Sequence, residues 1–188
     1  MDKIVLLYVV LFLFIFLLFP KRKPFRVNFT DGDKNIFIFA KDYILTPLLI
    51  VAITMRLVDH SHIFWAIVAV SWEVRLIGLF SLVAGLWLKI WSYKSLGKNW
   101  AAKIKIYDDH FLVKTGPYKW VRHPVYNSYL LTFVGGFLVS GDCLVLTIGI
   151  CYFFLNVARA YDEEKILGDK FKEEYKHYHD KTGMFLPR

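Results

Sequence analysis

The chain has 188 residues, of which 56% are hydrophobic and 18% aromatic, and its formal net charge is +8. This composition, with its uninterrupted apolar runs, is typical of a membrane protein and rare in a soluble domain of this size. Two cysteines are too few for a disulfide or zinc framework, and the length predicts a single domain, residues 1–188.

Apolar runs alternate with polar segments along the first half of the chain. Residues 4–19 form the first predicted span, which we expect to be retained because no small-residue cleavage site follows it. Residues 43–58 form the second span. Residues 63–72 are apolar but too short to cross a bilayer alone, which favours an interfacial or re-entrant helix. Residues 73–93 form the third span, with Trp87, Trp91 and Tyr93 as an aromatic belt near its end.

A helical hairpin is predicted for the second half. Residues 125–139 and 143–158 are apolar runs joined by Ser140-Gly141-Asp142, and they form spans four and five. At about 1.5 Å per residue each is slightly short for a full hydrocarbon core. Residues 159–179 predict an amphipathic, water-facing helix, and residues 182–188 form a short tail.

The basic residues predict the orientation. Lys and Arg number six in residues 21–43, seven in residues 94–124 and seven in residues 159–188, whereas residues 59–72 and 140–142 contain none. Five spans put the three basic segments on one side, and the positive-inside rule makes that side cytoplasmic. The basic residues are thus topogenic, which removes most of the case for a nucleic-acid partner. The predicted fold is an all-α integral membrane protein with about five transmembrane helices.

The polar segment Gly116–Tyr126 lies directly before the hairpin. Gly116-Pro117 favours a turn, and Pro124 is tolerated in the first turn of the helix that follows. The segment therefore places a Tyr, an Arg and a His where a helix enters lipid. Read from the spacing alone, it is either a membrane-boundary anchor or part of a functional site.

The hairpin should bring its two ends together. Arg122, His123 and Tyr126 are therefore expected near Arg159 and Glu163. Arg159 and Glu163 are four residues apart and share one helical face. They form either a simple ion pair, contributing a few tenths of a kcal/mol, or a functional pair at the depth where the helix leaves lipid.

Other sites of known chemistry are not predicted. The sequence contains no Walker loop, G-x-G-x-x-G, H-E-x-x-H or G-x-S-x-G motif. The pairs His60 with His62 and His177 with His179 have no third ligand nearby, so we expect no metal site.

Several motifs resemble one family. The stretch His110–Tyr118, followed by Arg122-His123-Pro124-Val125-Tyr126, resembles the isoprenylcysteine carboxyl methyltransferases. The ending Arg159-x-x-x-Glu163-Glu164, with Phe171 and Glu173-Glu174-Tyr175 after it, is similar to that family's ending. The resemblance covers about residues 94–188, and the wider group includes phospholipid N-methyltransferases.

The resemblance implies transfer of a methyl group from S-adenosylmethionine to a lipophilic acceptor, in the first place the carboxylate of an isoprenylcysteine-like molecule. It implies a cytoplasmic cofactor pocket built from residues 94–124 and 159–188, with Arg159 and Glu163 as catalytic residues and Arg159 on the substrate side. The cofactor-binding residues that it implies are Lys103, His110, Phe111, Leu112, Val113, Tyr118, His123, Pro124, Val125, Tyr126 and Glu163.

Two details accompany these roles. Backbone donors and acceptors of residues 110–113 and 123–126 are expected to hold the adenosine and methionine portions. Lys103 stands where some members have a cofactor-contacting glutamine. Lys172 stands where the family often has glycine, which suggests a tolerated change at a helix position.

Two readings compete with the methyltransferase. Sterol reductases share related C-terminal motifs and use NADPH, and a non-catalytic scaffold would use Arg159 and Glu163 only structurally. The acceptor is expected to enter from the bilayer, in the plasma membrane of a prokaryote or the endoplasmic reticulum of a eukaryote. The sequence leaves open the acceptor atom (oxygen, nitrogen or sulfur), the oligomeric state and the role of Glu164.

Overall fold

The computed structural model describes residues 68–99 and 111–188. Three helices account for most of them: α1 is Trp72–Leu96, α2 is Pro124–Ser140 and α3 is Cys143–Lys181. Short 3₁₀ turns occupy Gly97–Asn99 and Gly116–Lys119. The predicted spans 4–19 and 43–58, residues 63–67 of the predicted short helix 63–72, and the site candidates Lys103 and His110 lie outside the described residues. The prediction of a helix is wrong for residues 68–71, which are not helical and precede the start of α1 at Trp72.

The described part is helical and apolar, as predicted. Its single β contact is an isolated parallel bridge between Val121 and Gly183. Helices α1 and α3 are long and apolar enough to cross a membrane. Helix α2 has 17 residues, or about 25 Å. The predicted span 73–93 lies within α1, while 125–139 and 143–158 lie within α2 and α3.

Helices α1 and α2 pack through glycines. A Cβ atom on Gly78 would lie 2.8 Å from the Gly135 carbonyl oxygen, and one on Gly135 would lie 2.7 Å from the Gly78 carbonyl oxygen. The Ser81 hydroxyl also donates to the Leu131 carbonyl at 2.9 Å. Small residues and interhelical hydrogen bonds let membrane helices approach closely. Helix α1 thereby supports the helix that carries Tyr126.

The aromatic belt differs in one member from the prediction. Trp87 and Trp91 have ring centroids 4.8 Å apart, and Trp120 of the polar segment adds a third ring 5.6 Å from Trp91. Tyr93 instead faces the interior, with its hydroxyl 3.4 Å from that of Tyr129. The sequence could not place Trp120 in the belt because the polar segment's position depends on tertiary contacts.

The hairpin turn is formed as expected. Gly141 adopts a left-handed φ of 68° and donates its N–H to the Phe137 carbonyl at the end of α2. The side chain of Asp142 accepts a hydrogen bond of 2.8 Å from the Leu144 N–H and so caps α3. The turn therefore directs α3 back along α2.

Helix α3 is interrupted at Lys172, where φ is 45° and ψ is −117°. The prediction of an ordinary helix position there is wrong. A side chain at positive φ is strained because its Cβ crowds the backbone, which is why such positions favour glycine. After the break Tyr175 and Tyr178 pack with Leu112 in a small second core, and the Tyr178 hydroxyl donates to the Tyr118 carbonyl at 2.7 Å.

The C-terminal tail, residues 182–188, is an integral part of the fold. Arg122 donates its backbone N–H to the Gly183 carbonyl at 2.9 Å, and His123 donates to Met184 at 3.1 Å. The Asn127 amide donates to the Phe185 carbonyl at 2.7 Å. The tail thus fixes the segment that carries Arg122 and His123 at the start of α2.

Candidate active site

Glu163 is the meeting point of side chains from α2 and α3. The Tyr126 hydroxyl donates to Glu163 Oε1 at 2.8 Å, and Arg159 Nε donates to the same oxygen at 3.0 Å. His123 Nδ1 lies 3.7 Å from Glu163 Oε2. The hairpin was predicted to bring His123 and Tyr126 beside Arg159 and Glu163, and this juxtaposition is confirmed.

Glu164 is the centre of a second cluster. Arg122 Nε donates to Glu164 Oε1 at 2.7 Å, and His123 Nε2 lies 3.1 Å from the same oxygen. Arg122 was expected near Arg159 and Glu163, and its carboxylate partner is the adjacent Glu164. Successive residues of a helix point about 100° apart, so Glu163 and Glu164 face different neighbours. His123 lies between them and contacts one carboxylate with each ring nitrogen.

The environment of Glu164 favours its ionised form. Burial by itself raises the pKa of Glu164, but hydrogen bonds from His123 and Arg122, together with their charges, lower it from 4.5 to about 2. The side chains of Arg122 and Glu164 are only 6% and 13% exposed. Glu164 therefore remains ionised across the physiological pH range.

Arg122 also connects α2 to the end of the chain. Its Nη1 donates to the carbonyl of His179 at 3.0 Å and to the carbonyl of Thr182. The sequence did not predict these two contacts, because it gave the tail no partner. For the pairing of Arg122 with Glu164 a signal was present in the sequence: Arg122 is next to His123, and the facing helix carries two consecutive glutamates.

Tyr118 lies close to this site from the 3₁₀ turn. It is buried, and its pKa is raised well above 10 by burial and then by the nearby charge of Glu163. The phenol therefore stays neutral at physiological pH. Of its predicted companions, Leu112 and Val113 are buried, whereas Phe111 is exposed.

Two backbone N–H groups of the His-Pro segment have partners within the protein. The His123 N–H is used by the Met184 carbonyl, and the Tyr126 N–H is used by the His123 carbonyl at 3.1 Å. Pro124 has no N–H and is fully buried, and Val125 packs against the main core. These two N–H groups are thus already hydrogen-bonded within the protein, and the role expected for the backbone of residues 110–113 and 123–126 in holding the cofactor stays a prediction. Phe111 likewise donates its N–H to Asn99 Oδ1 at 3.2 Å.

A buried cation lies in the adjacent part of the core. Lys89 of α1 is almost fully buried, and its Nζ lies 5.1 Å from the centre of the Tyr129 ring. Tyr129 and Tyr126 both belong to the main core cluster. An ionisable side chain within a span is unusual, and its burial was not predicted from the sequence.

The donor set fits a cationic organic ligand better than a metal. Glu163 is 25% exposed, so a carboxylate flanked by aromatic rings remains partly accessible to a ligand. Carboxylates and aromatic faces both attract cations such as a sulfonium or an ammonium. In residues 68–99 and 111–188, no cluster of three or more His, Cys, Asp or Glu side chains has the arrangement of a metal site.

The sequence pattern of the isoprenylcysteine carboxyl methyltransferase (ICMT) family matches residues 76–169, which are 94 of the chain's 188 residues. The chain belongs to the ICMT family. The match includes Arg122, His123, Tyr126, Arg159 and both glutamates, so the side-chain contacts described above for Glu163 and Glu164 lie within the ICMT pattern.

Individual relatives agree with the ICMT assignment. The chain is 38% identical over 87 residues to a protein-S-isoprenylcysteine O-methyltransferase of Saccharomyces cerevisiae, which is 45% of this chain and 36% of that protein. It is 32% identical over 71 residues to methanethiol S-methyltransferase 1 of Bradyrhizobium diazoefficiens, 37% of this chain and 24% of that protein. It is 24% identical over 163 residues to a probable protein-S-isoprenylcysteine O-methyltransferase of Oryza sativa, 83% of each chain. The matches with the yeast and Bradyrhizobium proteins thus span about a third and a quarter of those relatives.

Proposed function

We propose that this protein is a membrane methyltransferase that transfers the methyl group of S-adenosylmethionine to a lipophilic acceptor, in the first place the carboxylate of an isoprenylcysteine-like molecule. The observation that carries the proposal is the convergence of Tyr126, Arg159 and His123 on the partly exposed Glu163. Membership of the ICMT family and the names of the yeast and rice relatives support it.

Glu163 and the nearby aromatic side chains would hold the cofactor. S-adenosylmethionine supplies an electrophilic methyl group on a sulfonium centre, together with an ammonium group. Glu163 offers a negative charge to either cation. Tyr118 and Tyr126 offer aromatic faces and hydroxyl groups beside it. Buried Leu112 and Val113 provide an apolar wall for the adenosine portion.

Arg159 would bind and orient the acceptor. A carboxylate acceptor is already ionised at neutral pH, so the protein needs no strong general base. What the protein must provide is alignment and exclusion of water. The planar guanidinium of Arg159 presents several N–H donors, and its Nε bond to Glu163 fixes the plane in which they lie. Arg159 thereby orients an acceptor carboxylate relative to the cofactor that Glu163 would bind.

The membrane arrangement is part of the proposal. We infer about five spans, with the site on the cytoplasmic side, from the distribution of Lys and Arg. The polar cofactor would then enter from the cytosol and the acceptor from the bilayer. The exposed Trp87 and Trp120 beside Trp91 support a water–lipid boundary at this level of the protein.

A thiol acceptor is the second candidate, because one relative is named as a methanethiol S-methyltransferase. A thiol differs from a carboxylate in being mostly protonated at neutral pH, with a pKa of about 8.5. Such an acceptor must lose its proton, and His123 and Glu163 are the groups of the site that we propose to accept it. The two acceptors are therefore distinguishable by their pH dependence.

Two measurements test the proposal. Calorimetric titration of the protein in detergent should show micromolar binding of S-adenosylhomocysteine, and binding of NADPH alone would favour the reductase reading. A radiolabelled methyl-transfer assay should then compare N-acetyl-S-farnesylcysteine, a small thiol and a lipid extract of the source organism. Binding of neither S-adenosylhomocysteine nor NADPH, with no methyl transfer to any acceptor, would leave only the scaffold reading.

A further inference from the structure

The C-terminal tail inserts an aromatic ring between the candidate site and the membrane-spanning part of α3. The Phe185 ring centroid lies 5.9 Å from that of His123 and 5.7 Å from that of Phe153. Phe153 belongs to the apolar run 143–158, and its ring in turn lies 6.1 Å from that of the exposed Phe154. One side chain therefore connects the polar cluster around His123 with the aromatic residues of the apolar run 143–158.

The backbone fixes the position of this ring. Asn127 of α2 donates to the Phe185 carbonyl, and His123 donates to the carbonyl of Met184 immediately before it. Met184 and Phe185 both pack against the main core. The next residue, Leu186, has no such role and is 78% exposed. The tail therefore holds Phe185 against α2 and α3 and leaves its neighbour in solvent.

His123 places this ring one side chain away from the proposed chemistry. The two nitrogens of His123 contact Glu163 and Glu164, and its ring is stacked on that of Tyr126 at 5.4 Å. An apolar chain that extends from Glu163 and Arg159 on this side of His123 therefore meets the Phe185 ring. A fixed aromatic ring at such a place limits how far the chain can extend.

We propose that Phe185 is a specificity-determining residue, which forms the apolar wall of the acceptor site and limits the length of the acceptor's hydrocarbon chain. This inference rests on the proposed methyl transfer to a lipophilic acceptor. It gives the tail a role beyond holding Arg122 and His123 in place, and it identifies the acceptor as a molecule whose apolar chain ends beside Phe185.

Chain-length preference tests the proposal. The full-length protein and the variants Phe185→Ala, Phe185→Leu and Leu186→Ala would be assayed with N-acetyl-S-geranyl-, S-farnesyl- and S-geranylgeranylcysteine. We expect Phe185→Ala to raise the ratio of kcat/KM for the geranylgeranyl acceptor to that for the geranyl acceptor by about tenfold. Phe185→Leu should raise it less, and Leu186→Ala should leave it unchanged. The affinity for S-adenosylhomocysteine and the Tm in detergent report on folding.

A purely structural role of Phe185 predicts a different result. In that case Phe185→Ala would slow all three acceptors in parallel, and the ratio would stay constant or fall, which overturns the inference. If the Phe185→Ala variant does not fold, Phe185→Leu, which keeps an apolar side chain, tests the same inference. If the unmodified protein methylates none of the three acceptors, the proposed function itself is contradicted. That result is obtained before any variant is compared.

Discussion

Glu163 and Glu164 are neighbours in the chain, but their carboxylates have different partners. Glu163 accepts hydrogen bonds from Tyr126 and Arg159 and is partly exposed, whereas Glu164 pairs with the buried Arg122. His123 contacts both carboxylates. One glutamate is thus available to a ligand, and the other holds the His-Pro segment in position beside it.

Removing the charge of Glu163 should weaken cofactor binding. In Glu163→Gln the shape and a hydrogen-bond acceptor remain, but the charge that would attract a cation is lost. We expect the affinity for S-adenosylhomocysteine, measured by calorimetric titration, to fall by about tenfold or more. Glu174→Gln is the matched control, because Glu174 is exposed and pairs with Lys114 at the surface. Equal affinities in the wild type and Glu163→Gln would contradict the assignment.

Arg159 should affect turnover more than cofactor binding. Arg159→Ala removes the group that orients the acceptor, so we expect kcat/KM to fall by about 100-fold while S-adenosylhomocysteine still binds. Arg159→Lys should recover only part of the activity, since an ammonium cannot present a planar pair of donors. Titration and the methyl-transfer assay on the same preparations check this. Loss of binding and turnover together would place Arg159 with the cofactor instead.

Glu164 should contribute to stability. In Glu164→Ala the buried guanidinium of Arg122 loses its carboxylate partner, and such a loss costs about 3 kcal/mol. The free energy of unfolding, measured by denaturant titration in mild detergent, should fall accordingly. The exposed Glu174→Ala variant should lose less than about 1 kcal/mol. A Glu164→Ala variant as stable as this control would show that the Arg122 pair is dispensable.

The same pair predicts a dependence of stability on acid. The pKa of Glu164 is lowered from 4.5 to about 2 in the folded protein. Its contribution is therefore fully present above pH 4.5 and is lost as the pH falls towards 2. Between these values the wild type should lose more free energy of unfolding than Glu164→Gln does. Parallel curves for the two proteins over this range would contradict the lowered pKa.

Glycine at position 172 should stabilise the protein. Lys172 has a φ of 45°, and glycine relieves the contact between Cβ and backbone at such an angle. We expect Lys172→Gly to raise the free energy of unfolding by about 1 kcal/mol. Lys176→Gly is the control, because it places glycine within the helix and should destabilise by a similar amount. A destabilised Lys172→Gly variant would indicate that the break at this position is not strained.

The order of polar and apolar residues determined a large part of what the structure shows. The lengths of the apolar runs predicted α1, α2 and the first part of α3, because a helix is the structure in which a chain in lipid satisfies its backbone hydrogen bonds locally. The Ser140-Gly141-Asp142 turn then predicted that His123 and Tyr126 meet Arg159 and Glu163. These contacts follow from local signals and a single reversal of the chain.

Only the tertiary structure decided which partner each charged group takes. Whether Arg122 contacts Glu163 or Glu164 depends on the rotation of α3 relative to α2, and a difference of about 100° separates the two. The left-handed break at Lys172 returns the chain so that residues 182–185 lie against the His-Pro segment. No local pattern encodes that return, because its stabilisation comes from contacts between residues some 60 positions apart, such as Arg122 with Thr182.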